Sequence, residues 1–394
     1  MGVFIVNRVL LIFINKIRQL LLTELFFCVK MTIYLEKYRA QLYKSKHDKR
    51  FGGRMRADFE THRGTMMLYP ARKDVWRKHA VPISETVTKL ALEISKFEPI
   101  ILGVHPELDR NRIARKCDGV RIEPMLYNDI WIRDSGAVPN EDALVKFGFN
   151  AWGGDAGLYS DWSLDETVPE QMSKLLNLPV ETSSLVLEGG NLLCDGRGTL
   201  ISIRSTLCNE NRNPNVEIET VEKLLKQTLR IEQIIWLDEG LVYDETGGHV
   251  DNLCAFADER TILLSWTDDL ENPQYGVVRS AYAKLEAARS VDGKPYNIVK
   301  IPLPQCFART EDDCAGLVTV DGSKKRYEGE LIQPSYINFV FVNGGVIVPS
   351  FDDPADGIVK ELFERTFPDR QVIDFPAREI LLGGGGMHCI TKNY

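Results

Sequence analysis

Hydrophobic positions along the chain form a pattern that occurs five times. A short apolar run is followed by a longer stretch with apolar residues every three or four positions, then by a second short apolar run. The longer stretches predict helices over 84–97, 164–176, 218–229, 276–289 and 354–367. The runs before them (65–69, 144–149, 199–203, 261–266 and 345–348) and after them (99–104, 184–187, 233–237, 297–301 and 371–375) predict strands. A strand that feeds a helix and returns to a second strand stacks that helix outside the sheet. Five such units are best closed into a ring, since closure gives every unit two neighbours. The expected fold is α/β, five strand–helix–strand units around one axis.

Polar, glycine-rich stretches separate the units: NDIWIRDSG (128–136), EGGN (188–191), ETGGHVDN (245–252), QPSYINF (333–339) and GGGGMHC (383–389). In a ring these stretches converge on the axis. Neither a Pro/Gly linker nor a charge block marks a second domain, so 51–394 reads as one domain and 1–50 as an N-terminal extension. The extension begins with thirty largely apolar residues punctuated by basic ones. Its longest uninterrupted apolar run is too short to span a bilayer, and no small-x-small cleavage site follows it. The favoured expectation is that translation starts at Met31.

Composition narrows the function classes without choosing among them. The chain has 394 residues, is 44% hydrophobic and 26% charged, and carries a formal charge of -8. Neither disorder nor a fibrous repeat fits those values. Mild acidity disfavours nucleic acid as a partner. The eight cysteines form no CxxC pair, and no Cys/His cluster has zinc-ligand spacing. Scattered thiols of this kind indicate a reducing, cytoplasmic setting.

One cysteine departs from that pattern. Cys389 follows Gly383, Gly384, Gly385 and Gly386, a run costly in backbone entropy unless the backbone must approach a ligand closely. Gly384 and Gly385 are thus candidate substrate contacts, and Cys389 is the candidate thiolate nucleophile. In an extended strand His249 and Asp251 share a face, an acid–base arrangement. Asp129, Trp131, Arg133 and Asp134 lie in another stretch read as extended, with too many charges for an ordinary core; an Arg133–Asp134 salt bridge is the structural alternative. Glu188 ends an apolar run just before two glycines. One Cys, one His and several carboxylates suit a planar cation. The thiolate would attack a guanidinium carbon, two carboxylates would grip its N–H groups, and the His would protonate departing ammonia.

These motifs, with RMRADFETHRGTMMLYP at 54–70, resemble the agmatine deiminases of the guanidine-modifying pentein superfamily. The resemblance spans about 52–394. It implies a five-bladed α/β propeller that hydrolyses agmatine to N-carbamoylputrescine and ammonia, within putrescine and polyamine formation. It implies an amidino-cysteine intermediate on Cys389 and no cofactor or metal. His249 would act as acid and then base, Asp134 and Asp251 would bind the guanidinium, and Glu188 would orient His249 or touch the guanidinium. Trp131 would shelve the aliphatic chain and Asp129 would meet the distal ammonium. A homo-oligomer is also implied, with neither nucleic acid nor a membrane span. The chain departs from the family pattern at Gly386 and Met387, where Asn and Ile are usual. It departs again at Ala137, in place of Pro, and in the tail Lys392, Asn393, Tyr394, where glutamines are commoner. Related readings are a peptidylarginine or free-arginine deiminase and a non-catalytic pentein binding protein. The last predicts no Cys, His and carboxylate set at the axis.

Overall fold

The structure is a computed structural model that describes residues 53–154 and 157–394. The N-terminal extension and the Met31 start lie outside the described residues. Every expected helix is present: Val81–Ser95, Val168–Leu176, Ile218–Leu229, Tyr275–Ala287 and Asp356–Thr366. Each places its apolar stripe on a sheet, as Val221, Leu225 and Leu229 do at spacing four.

The five central strands are Thr65–Leu68, Leu144–Gly148, Thr199–Ile203, Thr261–Trp266 and Gly345–Ser350. Each pairs in parallel with the strand after its helix: Ile100–Val104, Val180–Val186, Gln233–Leu237, Asn297–Pro302 and Gln371–Pro376. On the other edge, each takes a short antiparallel strand. In four units that strand directly precedes the central one. In the first unit it is Lys392–Asn393, the end of the chain, which pairs with Thr65 and Met66. The last strand therefore completes the first blade and closes the ring, reinforced by Arg63 N–H to Tyr394 O and Tyr394 N–H to Gly64 O.

Central strands are buried on both faces, which explains their unbroken apolar runs. Hydrophobic clusters bridge neighbouring units; one joins Ile201, Leu237, Leu253, Leu264 and Leu285. Among the described residues no helix is long and apolar enough to cross a membrane. Residues 303–333 form the longest excursion from the repeat, pinned at its base by Phe307–Ala308 against Leu331–Ile332.

Candidate active site

The inter-unit stretches do converge, but they differ locally from the extended conformation expected of them. Ile132–Ser135 is a helical turn, as are Val250–Leu253 and Arg378–Leu381, the last just before the glycine run. His249 is the extended residue capping the second turn, so His249 and Asp251 approach through a corner rather than along one strand face. Short polar segments between apolar runs carry too few residues for periodicity to distinguish a turn from a strand. Arg133 and Asp134 do not form a corner salt bridge. Arg133 Nη1 pairs with Asp58 Oδ1 at 3.1 Å, while Asp134 accepts Gly190 N–H at 2.8 Å and Trp152 Nε1–H at 3.0 Å.

Cys389, His249, Asp134, Asp251 and Glu188 are all buried; His249, Asp134 and Asp251 crowd Gly190, with Cys389 against Asp251 and Glu188 against His249. A Cβ at position 190 would stand 2.6 Å from His249 Nδ1, 2.8 Å from Asp134 Oδ1 and 3.1 Å from Asp251 Oδ2. Only a glycine keeps that space open. The glycine run is equally constrained. A Cβ at 383 would strike Trp76, one at 385 would lie 2.6 Å from Trp131, and one at 386 would lie 2.2 Å from Asn338 Oδ1. Gly384 has φ +107°, a conformation L side chains avoid. Asn338 thus packs directly against Gly386.

Cys389 Sγ lies 3.7 Å from Asp251 Oδ2, and it receives Asn338 Nδ2–H at 3.3 Å and Gly386 N–H at 3.4 Å. Burial, then the Asp251 and Asp134 charges, push the thiol well above its ordinary range despite those two donors. His249 Nε2 is 3.5 Å from Glu188 Oε2, and Nδ1 is 3.8 Å from Asp134 Oδ2. Burial opposes its charge, but Asp134 and Glu188 outweigh burial and raise the imidazole to about 9. Glu188 is held by Arg212 Nε at 2.7 Å. His249 and Arg212 overcome its burial and hold it below the usual carboxylate range. Burial raises Asp134, with Asp251 and Glu188 adding to the effect against the pull of His249. Burial and the surrounding carboxylates thus favour a neutral thiol at Cys389 and a charged imidazole at His249.

Trp131 forms a wall of the site, tilted against Trp76 and edge-on to Trp152. Asp129 sits behind that wall: it accepts Trp131 Nε1–H at 3.1 Å, Trp76 Nε1–H at 3.3 Å and Ile130 N–H at 2.8 Å, with Arg72 at 3.6 Å. Its oxygens are engaged in holding the indoles. Gly384 and Gly385 line a cavity of about 320 Å³ that also presents Glu245, Glu330, Lys324 and Leu331. Glu245 is gripped by Arg326 through both guanidinium nitrogens, at 2.6 and 2.9 Å.

Sequence reasoning missed Asn338, His388, Asp58 and Arg212. Asn338 and His388 lay within segments already singled out, and the stretch 54–70 contained Asp58. Nothing in the pattern around Arg212 sets it apart from a surface arginine.

The family model for Porphyromonas-type peptidyl-arginine deiminases matches residues 54–394. The chain is 40% identical to agmatine deiminase of Pseudomonas fluorescens, over 86% of this chain and 94% of that one. It is 39% identical to agmatine deiminase of Pseudomonas aeruginosa, over 86% and 95%. The solved structure of agmatine deiminase of Enterococcus faecalis superimposes with a TM-score of 0.83 at 31% identity, covering 87% of this chain and 95% of that one.

Proposed function

The chain belongs to the Porphyromonas-type peptidyl-arginine deiminase family, alongside the agmatine deiminases, and from that footing we propose how it hydrolyses agmatine to N-carbamoylputrescine and ammonia. The observation that carries the mechanism is the buried meeting of one thiol, one imidazole and three carboxylates, with His249, Asp134 and Asp251 crowding Gly190.

The guanidinium enters between Asp134 and Asp251, whose oxygens accept its N–H groups. Its positive charge offsets the two carboxylates that hold the Cys389 proton in place. His249 is already protonated, so the thiol proton leaves to solvent. The thiolate attacks the guanidinium carbon and forms a C–S bond. As the C–N bond breaks, His249 gives its proton to departing ammonia and becomes neutral. A water molecule then attacks the amidino carbon while His249 takes one of its protons. The C–S bond breaks, the carbonyl forms, and the remaining hydroxyl proton returns to Cys389. Glu188, fixed by Arg212, orients His249 and keeps it basic enough for both transfers.

Trp131 shelves the butyl chain, with Asp129 acting as its support. The cavity beyond Gly384 and Gly385 receives the amine end. A cleft of about 320 Å³ mouthed by residues 303–333 suits a small diamine derivative better than a polypeptide. The described cysteines are unpaired, which supports a cytoplasmic enzyme. A homo-oligomer follows from the family resemblance. The test is ureido-product formation from agmatine, arginine and a blocked arginyl peptide, by wild type and Cys389→Ala. Agmatine turnover that disappears in the variant is expected. Turnover of the peptide without agmatine would overturn the substrate assignment, and retained turnover in the variant would overturn the mechanism.

A further inference from the structure

The segment before the first strand straps across several units of the ring. Met55 N–H bonds Leu229 O and Met55 bridges to Asn140. Phe59 packs edge-on to Phe341, and His62 bonds both Glu98 and Asn343. Asp58 lies in this strap with its two carboxylate oxygens directed to different partners. Oδ2 is 3.1 Å from His388 Nε2, and Oδ1 is 3.1 Å from Arg133 Nη1.

Both partners lead to the reacting groups. His388 Nδ1 is 2.8 Å from Asp251 Oδ2, while Asp251 Oδ1 is buried and makes no hydrogen bond to the described residues. Arg133 Nε donates to His388 O, Arg133 N–H donates to Cys389 O at 3.1 Å, and the next residue is Asp134. We propose that Asp58 is a positioning residue of this reaction, acting through His388 to hold Asp251 with one oxygen engaged and the other turned toward the guanidinium.

The geometry requires both His388 nitrogens to donate, since each faces a carboxylate oxygen. Burial and Arg133 oppose that imidazolium, and Asp251 and Asp58 restore it, leaving His388 raised above its ordinary value. Arg133, His388 and His62 in turn outweigh burial at Asp58 and hold its carboxyl well below the usual range. The charged and titratable groups around the pair are therefore Arg133, Asp251 and His62, with Lys392 buried nearby. Without the Asp58 charge, His388 would lose a proton at lower pH, and a bare nitrogen would face Asp58's replacement or Asp251.

This inference rests on the deiminase reading, and its test separates the two. For Asp58→Asn, kcat/KM should fall about tenfold or more, as is usual for residues that orient a reacting group. Its alkaline limb should also move to lower pH. Asp58→Glu should keep the limb of the wild type. A uniform loss with the limb unmoved, or an unaltered profile, would overturn the proposal. Because Asp58→Asn also releases Arg133 and can fail to fold, the second measurement uses intact Cys389→Ala protein. Imidazole ¹⁵N signals of the histidines, with His388 assigned by its loss in His388→Gln, should show both nitrogens protonated at pH 7 without substrate. A bare His388 nitrogen there would overturn the proposal. Failure of wild type to act on agmatine would instead count against the substrate.

Discussion

Cys389 Sγ stands 3.7 Å from Asp251 Oδ2, so the thiol rests against a group that opposes its ionisation. A carboxylate in that position makes sense only when a cation arrives between them. The thiol of the free enzyme should therefore react slowly with iodoacetamide at pH 7, and its rate should still be rising above pH 9. Asp251→Asn should speed alkylation at neutral pH while abolishing turnover. Labelling at Cys389, read by peptide mass spectrometry with Cys389→Ala as the blank, checks both. Fast alkylation of wild type reaching a plateau below pH 8 would show a preformed thiolate.

His249 and Glu188 set a second pH dependence. Loss of Glu188's charge lowers His249 from about 9, and ammonia departure needs its protonated form. Glu188→Gln should therefore move the alkaline limb of kcat to lower pH. The raised His249 also links to stability. Its contribution is complete below the unfolded value near 6.5 and is lost as pH rises through about 9. The substitution leaves Arg212 buried beside a neutral amide, so about 3–5 kcal/mol of stability should go as well. Denaturant melts at pH 6 and 10, with kcat profiles, would show whether the two effects separate.

Gly190→Ala tests the space at the centre of the site. The added methyl lies against His249, Asp134 and Asp251 at 3.1 Å or less, in the space the proposed reaction gives to the guanidinium. Turnover should fall at least about a hundredfold, the cost expected from misplacing a reacting group by about 1 Å. Circular dichroism should remain that of the wild type. Activity within threefold of wild type would mean that the guanidinium binds elsewhere.

The ring was legible because central strands buried on both faces are short continuous apolar runs and each helix carries a stripe, as Val221, Leu225 and Leu229 illustrate. The convergence of Cys389, His249 and Glu188 was legible because glycines beside them signalled crowding. Turn geometry was not. Ile132–Ser135 and Val250–Leu253 are single turns held by contacts from distant segments, such as Gly190 N–H donating to Asp134 and Asn338 Nδ2–H donating to Asp251 O. Asp58 and Arg212 escaped notice for the same reason. Their meaning lies in partners 330 and 24 residues away, His388 and Glu188, a separation no local pattern encodes.

The tail offers a further prediction. Lys392 is buried in the strand that closes the ring, and its Nζ donates to Arg133 O at 3.1 Å behind the catalytic turn. Burial, with Arg133 close by, depresses the amine to about 7. The unfolded chain keeps that proton up to about 10.4. Between those values the unfolded state binds more protons than the native one, so Lys392's contribution to stability improves as pH rises. Lys392→Met removes the titration and keeps most of the volume, at the cost of one hydrogen bond worth about 1 kcal/mol. The variant should gain stability relative to wild type at pH 7 and lose that advantage by pH 10. Paired thermal melts at the two pH values check this. An equal difference between variant and wild type at both would show that Lys392 stays protonated in the fold, with Asp58, Asp134 and Asp251 sustaining its charge.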